Sequence, residues 1–315
     1  MSPRLLSFLT DPNDGAPLQL HTFEGSSDQV REGVLVNAQS GRWYPIRDGI
    51  PTLFVDALRT GDEAANDAAF ARRFEKAMHE AGCDLSNTQG SRQAEADFAR
   101  IDSERRARDE QAEDYDRMFS LKFYERIETP TYRRALGEYS QASLPMLEAG
   151  CGTGRFTGLF SELGSEVVAV DMSRDSILRN RVRHAGKTAS PVYYVHADLT
   201  HLPLGSALFG SVAHCGVYEH IPSLSMRQQF LDHARRALQP DGVLLLSAYR
   251  YGGITKLFGK EGEHAGGIPF TRFLEGELRE ELEPYFNIEK FRPSLGIYMS
   301  MLLARPKTAP NAALA

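Results

Sequence analysis

The fold of this chain is decided by residues 147–156, which read Leu147-Glu148-Ala149-Gly150-Cys151-Gly152-Thr153-Gly154-Arg155-Phe156. The apolar residues before Glu148 predict a buried strand and a helical pattern begins near Phe156, so the glycines form the turn between them. Ligands of open α/β sheets bind at the carboxyl ends of the strands. Because glycine carries no Cβ, a ligand can approach the main chain of such a turn closely. The sequence therefore predicts a ligand-binding loop at residues 150–154.

Short apolar runs alternate with helical patterns from residue 144 onward. Buried strands separated by helices form a mostly parallel sheet that is covered on both faces. We therefore predict an α/β fold with a doubly wound, mostly parallel seven-stranded sheet, closed by an antiparallel strand pair at residues 286–291 and 296–303. The runs predicted to form the other strands are residues 145–147, 166–170, 192–195, 211–213 and 243–247.

The second predicted strand ends in Asp171, about twenty residues after the glycine loop, which is the spacing of a ribose-binding acid. A carboxylate at this position can accept hydrogen bonds from both hydroxyls of a ribose. A loop for a pyrophosphate-bridged dinucleotide would need its third glycine at the position of Arg155. The loop and the acid together therefore predict a cofactor that contains a nucleoside but is not a dinucleotide.

Three segments resemble the motifs of class I S-adenosylmethionine-dependent methyltransferases. Residues 147–156 resemble the first motif, Val168-Ala169-Val170-Asp171-Met172-Ser173 the second, and His196-Ala197-Asp198-Leu199 the third. The resemblance covers roughly Tyr115 to Pro306. It implies a Rossmann-like methyltransferase fold, S-adenosyl-L-methionine as the cofactor, and methyl transfer by in-line displacement.

The resemblance also implies which residues hold the cofactor. Asp171 is expected to hold the ribose, Asp198 and Leu199 to meet the adenine, and Met172 to pack on the adenine face. Tyr115, from the segment before the first strand, is expected to close the pocket. The whole expected set comprises Tyr115, Glu148, Gly150, Cys151, Gly152, Gly154, Asp171, Met172, Asp198, Leu199 and Cys215.

The fourth strand is followed by residues 214–220, which are expected at the same sheet edge as the glycine loop. Histidine suits a general base because its ordinary pKa lies near physiological pH, and His220 is the leading candidate for that role. The alternative is that Glu219-His220-Ile221 only caps the next helix and packs the pocket. Tyr218 could shape the acceptor pocket, and His264 could lie on a glycine-flanked lid.

Three cysteines, Cys83, Cys151 and Cys215, lie far apart and form no Cys-x-x-Cys pair. Neither a disulfide framework nor a thiolate metal site is indicated, and a reducing compartment fits this usage. Cys151 and Cys215 flank the predicted cofactor region, yet no neighbour evident in the sequence would lower the pKa of either thiol. We interpret both as small buried residues beside the cofactor.

The first 55 residues are rich in short strands and turns and predict a small β unit. The segment at residues 41–51 resembles a zinc-ribbon family found fused to methyltransferases or acting as their activator. Where that family has two Cys-x-x-Cys pairs, this chain has Asp11 with Asp14 and Asn37 with Ser40. Because thiolate ligation of zinc is excluded by this composition, we expect a unit without metal.

The chain has 315 residues and 42% apolar content, enough for one large core and a smaller appended unit. We divide it into a degenerate ribbon-like unit at 1–56, a helical connector with pocket-covering helices at 57–139, a methyltransferase core at 140–306 and a disordered tail at 307–315. The formal net charge of −6 gives no electrostatic footprint for nucleic acid. The apolar stretches have the length of strands rather than of membrane spans, so a soluble, cytoplasmic protein is expected.

The main functional hypothesis is methyl transfer to a small-molecule acceptor, a metabolite or natural product. A second hypothesis is a partner protein that binds the cofactor without catalysis and uses the ribbon-like unit for interaction. A third is a methyltransferase that acts on protein or RNA through the helical connector. The residues permit a monomer or a homodimer and do not choose between oxygen, nitrogen and carbon acceptors.

Overall fold

The computed structural model describes residues 1–59, 61–87, 96–111, 121–139, 141–264, 267–294 and 298–308. Tyr115 lies outside the described residues, as does the predicted disordered tail from residue 309 onward. Within the described ranges, no helix combines the length and the apolar character needed to cross a membrane.

A small antiparallel sheet follows the first helix, α1 (Pro3–Leu6). Its strands pair in chain order and are β1 (Gln19–Gly25), β2 (Val30–Val36), β3 (Trp43–Arg47) and β4 (Ile50–Pro51). The turn between β3 and β4 is Asp48-Gly49, whose φ values are 52° and 76°. A two-residue hairpin turn of this kind needs left-handed residues, which Asp and Gly tolerate. The small β unit predicted from the sequence is therefore present, and the Asp-Gly pair forms one of its hairpins.

Both faces of β3 are buried. Successive side chains of a strand point to opposite faces. Trp43 clusters with Phe70 and Met78 of the following helices, whereas Tyr44 and Ile46 belong to the same apolar cluster as the strands of the large sheet. The small sheet is therefore packed between two layers and shares a core with the large domain.

A hydrogen-bonded cluster occupies positions at which the resembled ribbon family has cysteines. The Asp11 carboxylate accepts hydrogen bonds from Tyr44 Oη at 2.6 Å, Asn37 Nδ2 at 2.8 Å and Arg42 Nη1 at 2.9 Å. Asp14 accepts from the same arginine nitrogen at 3.1 Å. The guanidinium of Arg42 thus supplies the positive charge between the two aspartates. We call these residues, Asp11, Asp14, Asn37, Arg42 and Tyr44, the Asp11 cluster.

Helices connect the small sheet to the large domain. In the described residues they are α2 (Gly61–Arg73), α3 (Glu75–Glu80), α4 (Ala96–Gln111) and α5 (Leu121–Gly137). Buried ion pairs hold them: Glu63 of α2 accepts from Arg47 of β3 at 2.9 Å and from Arg105 of α4 at 3.0 Å. A buried carboxylate without a cationic partner costs free energy, so Glu63 stays beside these two arginines. The arginines therefore fix how the connector lies on the small sheet.

The large domain is a mixed sheet with helices on its connections. Its strands are β5 (Met146–Ala149), β6 (Val167–Asp171), β7 (Val192–His196), β8 (Phe209–Cys215), β9 (Leu238–Tyr249), β12 (Phe286–Ser294) and β13 (Met299–Pro306). A separate hairpin is formed by β10 (Glu261–Glu263) and β11 (Pro269–Thr271), and the helices are α6 (Thr157–Leu163), α7 (Arg174–His184), α8 (Leu224–Ala237) and α9 (Glu275–Leu282).

The large sheet has the order β12-β13-β9-β8-β5-β6-β7. The five strands from β9 to β7 are parallel, whereas β12 and β13 are antiparallel and close one edge. The doubly wound seven-stranded sheet and its closing pair are therefore confirmed. From β5 the chain builds β6 and β7 on one side of the sheet and then returns to build β8 and β9 on the other side. The strand order therefore reverses at β5, and the carboxyl ends of β5 and β8 meet at a topological switch point.

The chain after β4 covers the free edge of β7. Thr52 pairs in parallel register with His196, and the Leu53 amide donates to the His196 carbonyl at 2.8 Å. The His196 ring extends this contact, because Nε2 donates to the Met172 carbonyl at 3.0 Å and Nδ1 accepts from the Thr52 hydroxyl at 3.2 Å. Burial lowers the pKa of His196 to about 3, so the ring is neutral. The small unit therefore pairs with the last residue of β7 and covers that end of the edge of the large sheet.

The Asp11 cluster generates a stability prediction. Asp11→Ala should lower the free energy of unfolding by about 3–5 kcal/mol, because it leaves buried donors and a guanidinium without their acceptor. The control is Asp14→Ala, whose side chain is 47% exposed and shares the same arginine; it should cost less than about 1 kcal/mol. Urea unfolding followed by fluorescence of Trp43, the one tryptophan of the chain, measures both. Equal losses in the two variants would contradict the assignment.

Candidate active site

A cavity of about 510 Å³ opens at the carboxyl ends of β5, β6 and β8, at the switch point of the sheet. Sites for small ligands have volumes of roughly 300–1,000 Å³. Many of the residues expected to hold the cofactor line it, namely Glu148, Gly150, Cys151, Gly152, Asp171, Met172, Leu199 and Cys215. The structure thus brings three separate sequence motifs together around one space.

The three glycines of the loop after β5 have positive φ values of 83°, 49° and 90°, but their surroundings differ. A Cβ on Gly150 would lie 2.6 Å from Val217 Cγ2, and one on Gly154 would lie 2.5 Å from Asn180 Oδ1. A Cβ on Gly152 would meet nothing within 4 Å. Gly150 and Gly154 therefore serve the packing of the loop, whereas Gly152 borders open space. Gly154 is not among the residues that line the cavity.

Asp171 ends β6 and holds the glycine loop from the side. Its Oδ2 accepts from the Gly152 amide at 2.7 Å and its Oδ1 accepts from the Ser173 amide at 2.9 Å. Burial raises the pKa of this carboxyl, against the effect of these backbone hydrogen bonds. A carboxylate has about four acceptor sites, so roughly two remain for a ligand.

Glu148, the third residue of β5, is fully enclosed below the glycine loop. Its Oε2 accepts from the Thr157 hydroxyl at 2.6 Å, and the Asn180 amide in turn donates to Thr157 Oγ1 at 2.9 Å. Burial raises the pKa of Glu148 to about 8, and the nearby Asp171 carboxylate contributes to this rise. The side chain is therefore a neutral acid at pH 7 that a bound cation would convert to a carboxylate.

Only some of the residues that are predicted to meet the adenine line the cavity. Leu199 and Met172 line it, but Asp198 does not. The Asp198 carboxylate accepts from the Thr200 amide at 2.9 Å and caps the short 3₁₀ helix Leu199–His201. Asp198 thus holds Leu199 in place from behind, and its contact with a cofactor stays a prediction.

The segment after β8 places its side chains in different directions. Tyr218 is buried and donates to Glu281 at 2.7 Å, away from the cavity. The His220 Nδ1 donates to the Pro269 carbonyl at 2.9 Å, and the ring is not among the lining residues. Burial holds the pKa of His220 well below its ordinary value. Glu219, between them, does line the cavity.

Two arginines line the cavity, one from outside the sequence motifs and one from the end of the first motif. Arg108 of α4 donates to Glu104 at 2.9 Å, and Arg155 forms an ion pair with Glu128 of α5. All four side chains line the cavity. Their roles escaped sequence reasoning because acidic and basic residues are ordinary on exposed helix faces, and no local pattern tells which of them a fold will bury.

Aromatic residues form one wall of the cavity. Tyr249, His264 and Phe270 line it, with ring centroids 5.7 Å apart for Tyr249 and His264 and 4.7 Å apart for His264 and Phe270. His264 adjoins the β10–β11 hairpin at the mouth of the cavity, where the sequence suggested a lid. Tyr298 and Met299, at the start of β13, complete this wall.

The residues of the cavity suit S-adenosylmethionine. Gly152 leaves room for a ligand against the main chain, and the Asp171 carboxylate beside it keeps acceptor sites for the hydroxyl groups of a ligand. Leu199 and Met172 offer apolar contact for a base. Glu148 adds a buried acid to the lining of the same cavity.

Two family models match the chain. Residues 147–246 match the model described as a methyltransferase domain, and residues 2–49 match the model of Trm112p-like proteins. The first match begins at the strand before the glycine loop and ends within β9. The second covers the first three strands of the small sheet and the Asp11 cluster.

Curated relatives are similar to part of the chain. A malonyl-[acyl-carrier protein] O-methyltransferase of Buchnera aphidicola is 28% identical over 118 residues, which is 36% of this chain and 42% of that protein. An uncharacterized methyltransferase of Bacillus subtilis is 33% identical over 102 residues, 32% of this chain and 41% of that protein. The chain thus spans less than half the length of these relatives.

Solved structures share the fold of the large domain. A 1,6-didemethyltoxoflavin N1-methyltransferase of Burkholderia thailandensis superposes with a TM-score of 0.54 at 20% identity, covering 69% of this chain and 93% of that one. A protein of Pyrococcus horikoshii gives 0.51 at 21% identity, covering 62% and 96%. Together with the motifs around the cavity, these matches identify a methyltransferase domain at residues 147–246 and a Trm112p-like unit at residues 2–49.

Proposed function

We propose that the whole chain transfers a methyl group from S-adenosyl-L-methionine to a small-molecule acceptor by in-line displacement. The observation that carries the proposal is the open space at Gly152, beside the Asp171 carboxylate and inside a matched methyltransferase domain. A loop held in this shape by Gly150 and Gly154 leaves a main-chain surface free for a ligand.

The chain's residues would act mainly by alignment. When bound, S-adenosylmethionine supplies a methyl group on a positively charged sulfur. Asp171 would accept from the ribose hydroxyls, Met172 and Leu199 would pack on the adenine, and Glu148 would face the methionine part. Holding two reactants in line can lower a barrier by roughly 7–11 kcal/mol. The enclosed cavity also keeps water away from the reacting atoms.

The shape and charge of the cavity support a small acceptor. One wall of it is formed by Tyr249, Phe270 and Met299, which line an apolar and aromatic space. The net charge of −6 does not favour a phosphate backbone as partner. The Buchnera relative is, by its name, a methyltransferase for a malonyl group, a small acceptor that is carried by a protein.

Two other functions remain as competing proposals. A non-catalytic partner would bind the cofactor but transfer no methyl group, whereas a methyltransferase for protein or RNA would need a macromolecular surface beside the cavity mouth. Methyl transfer by the wild type to any acceptor, abolished in Asp171→Ala, would remove the first. Transfer to a free small molecule at rates above those for protein or RNA would remove the second.

Cofactor binding is the first test. Gly152→Val should abolish calorimetrically detectable binding of S-adenosylmethionine and S-adenosylhomocysteine, because the side chain enters the open space. Asp171→Ala should weaken both by roughly 10–100-fold through lost hydrogen bonds to a charged group. The matched control is Gly186→Val, since Gly186 also has a positive φ, 67°, and open surroundings but lies outside the cavity. Equal binding by the two valine variants would contradict the proposed site.

Glu148 gives a pH prediction. Its pKa of about 8 means that the carboxyl loses a proton when the ammonium group of a ligand binds beside it. The affinity for S-adenosylhomocysteine should therefore rise with pH between about 6 and 8, by up to about tenfold per unit. Titrations across this range should show the rise in the wild type and a flatter profile in Glu148→Gln. The same profile in both proteins would exclude Glu148 from the ligand's surroundings.

A further inference from the structure

Glu219 is a buried carboxyl whose oxygens lack partners. It lies in the short 3₁₀ helix Tyr218–His220 after β8 and is 2% exposed. Among the described residues, no other residue forms a hydrogen bond with either of its carboxylate oxygens. Burying such a group unpaired costs free energy, so unpaired groups of this kind need an explanation. Because Glu219 also lines the cavity, a ligand can supply the missing partner.

The position of Glu219 is beside the cofactor loop. Val217 is within 2.6 Å of the Cβ position of Gly150, so the loops after β5 and β8 touch each other. A Cβ on Gly216 would lie 3.9 Å from Glu219 Oε1 and 4.0 Å from Met299 Cε. The carboxyl thus stands between the glycine loop and the aromatic wall, at the junction of the proposed cofactor space and the proposed acceptor space.

The charges around Glu219 come from two elements. Arg108 of α4 and Arg155 of the glycine loop favour its carboxylate, whereas Glu104 of α4 opposes it. Arg108 is hydrogen-bonded to Glu104, and Arg155 is paired with Glu128. Burial is the larger influence and raises the pKa of Glu219 to about 8. At neutral pH the empty protein therefore holds Glu219 mostly protonated, and a cation bound beside it would remove that proton and leave a carboxylate that can act as a general base.

His220, the base candidate from the sequence, is placed differently. Its Nδ1 faces the Pro269 carbonyl, and the ring does not line the cavity. Its neighbour Glu219 lines the cavity, and neither of its carboxylate oxygens has a hydrogen-bond partner among the described residues. The side chain of this turn that lines the cavity is therefore Glu219, one residue before His220.

We propose that Glu219 is the catalytic base, which takes the proton from the oxygen or nitrogen of the methyl acceptor. This inference rests on the proposed function. As the acceptor–methyl bond forms, the methyl–sulfur bond breaks and its electron pair stays on sulfur, which becomes a neutral thioether. The acceptor's proton moves to a Glu219 oxygen, so the carboxylate and the sulfonium neutralise each other. The acceptor class is then a hydroxyl or N–H compound that reacts with loss of a proton.

The test uses two ligands that differ at the methyl position. S-adenosylhomocysteine is uncharged there, whereas sinefungin carries an ammonium group on carbon in place of the methylated sulfur. If Glu219 faces this position, wild-type protein should prefer sinefungin, and Glu219→Gln should lose at least about tenfold of that preference. The affinity for S-adenosylhomocysteine should change less than about threefold, because the amide keeps the shape of the side chain.

The matched control is Glu263→Gln, the same substitution at an exposed carboxylate on the rim of the cavity. It should keep the preference for sinefungin, since exposed charges are screened by water. Retention of the preference in Glu219→Gln, or an equal loss in Glu263→Gln, would overturn the proposal. Failure of the wild type to bind S-adenosylhomocysteine would instead overturn the proposed function itself.

Proton release provides a second readout that a purely structural role would not change. With a free pKa near 8, Glu219 should release up to one proton at pH 7 when sinefungin binds, beyond that released with S-adenosylhomocysteine. Calorimetry in buffers of different ionisation heat measures this difference, which should vanish in Glu219→Gln. If that variant does not fold, Glu219→Asp, which withdraws the carboxyl by one methylene, should show a partial loss. An unchanged proton release in a folded variant would exclude Glu219 as the base.

Discussion

The hydrogen bond from the Gly152 amide to the Asp171 carboxylate, 2.7 Å long, joins the loop after β5 to the end of β6. The other oxygen of Asp171 holds the amide of Ser173, at the start of α7. One side chain therefore fixes two turns at the switch point of the sheet. The main chain at Gly152 can remain open to a ligand only because this carboxylate and the packing at Gly150 and Gly154 keep the loop from collapsing. The remaining walls of the cavity are arranged around that loop.

Much of this arrangement follows from local sequence. The alternation of apolar runs and helices predicted the seven-stranded sheet, and the glycine pattern with Asp171 predicted where its ligands meet the main chain. The sequence could not reveal that Gly154 packs against Asn180, because that contact depends on where α7 lies. Nor could the sequence show which of the adjacent residues Glu219 and His220 lines the cavity, since the direction of their side chains depends on the turn after β8. Arg108 and Glu104 entered the cavity through tertiary packing of α4.

Two buried acids, Glu148 and Glu219, share one physical character. Each is enclosed without a cationic side chain bonded to it in the described part of the chain, and burial raises the pKa of each to about 8. Such groups destabilise the empty folded protein increasingly as the pH rises from their ordinary pKa of 4.5 to about 8, because only the unfolded state ionises them freely in this range. A folded domain tolerates this cost where a positively charged ligand removes it. The two acids lack a cationic partner, and this indicates a positively charged ligand more directly than any single hydrogen bond does.

The Asp11 cluster places a positive charge where the resembled ribbon proteins place a metal ion, but Arg42 is covalently attached to the chain. A dissociable ion stabilises a fold by an amount that grows with the logarithm of its free concentration. A tethered cation is always present at the same effective concentration, so its contribution does not follow mass action. The small unit, and with it the covered edge of the large sheet, thereby gains a stability term that is independent of the supply of metal in its surroundings.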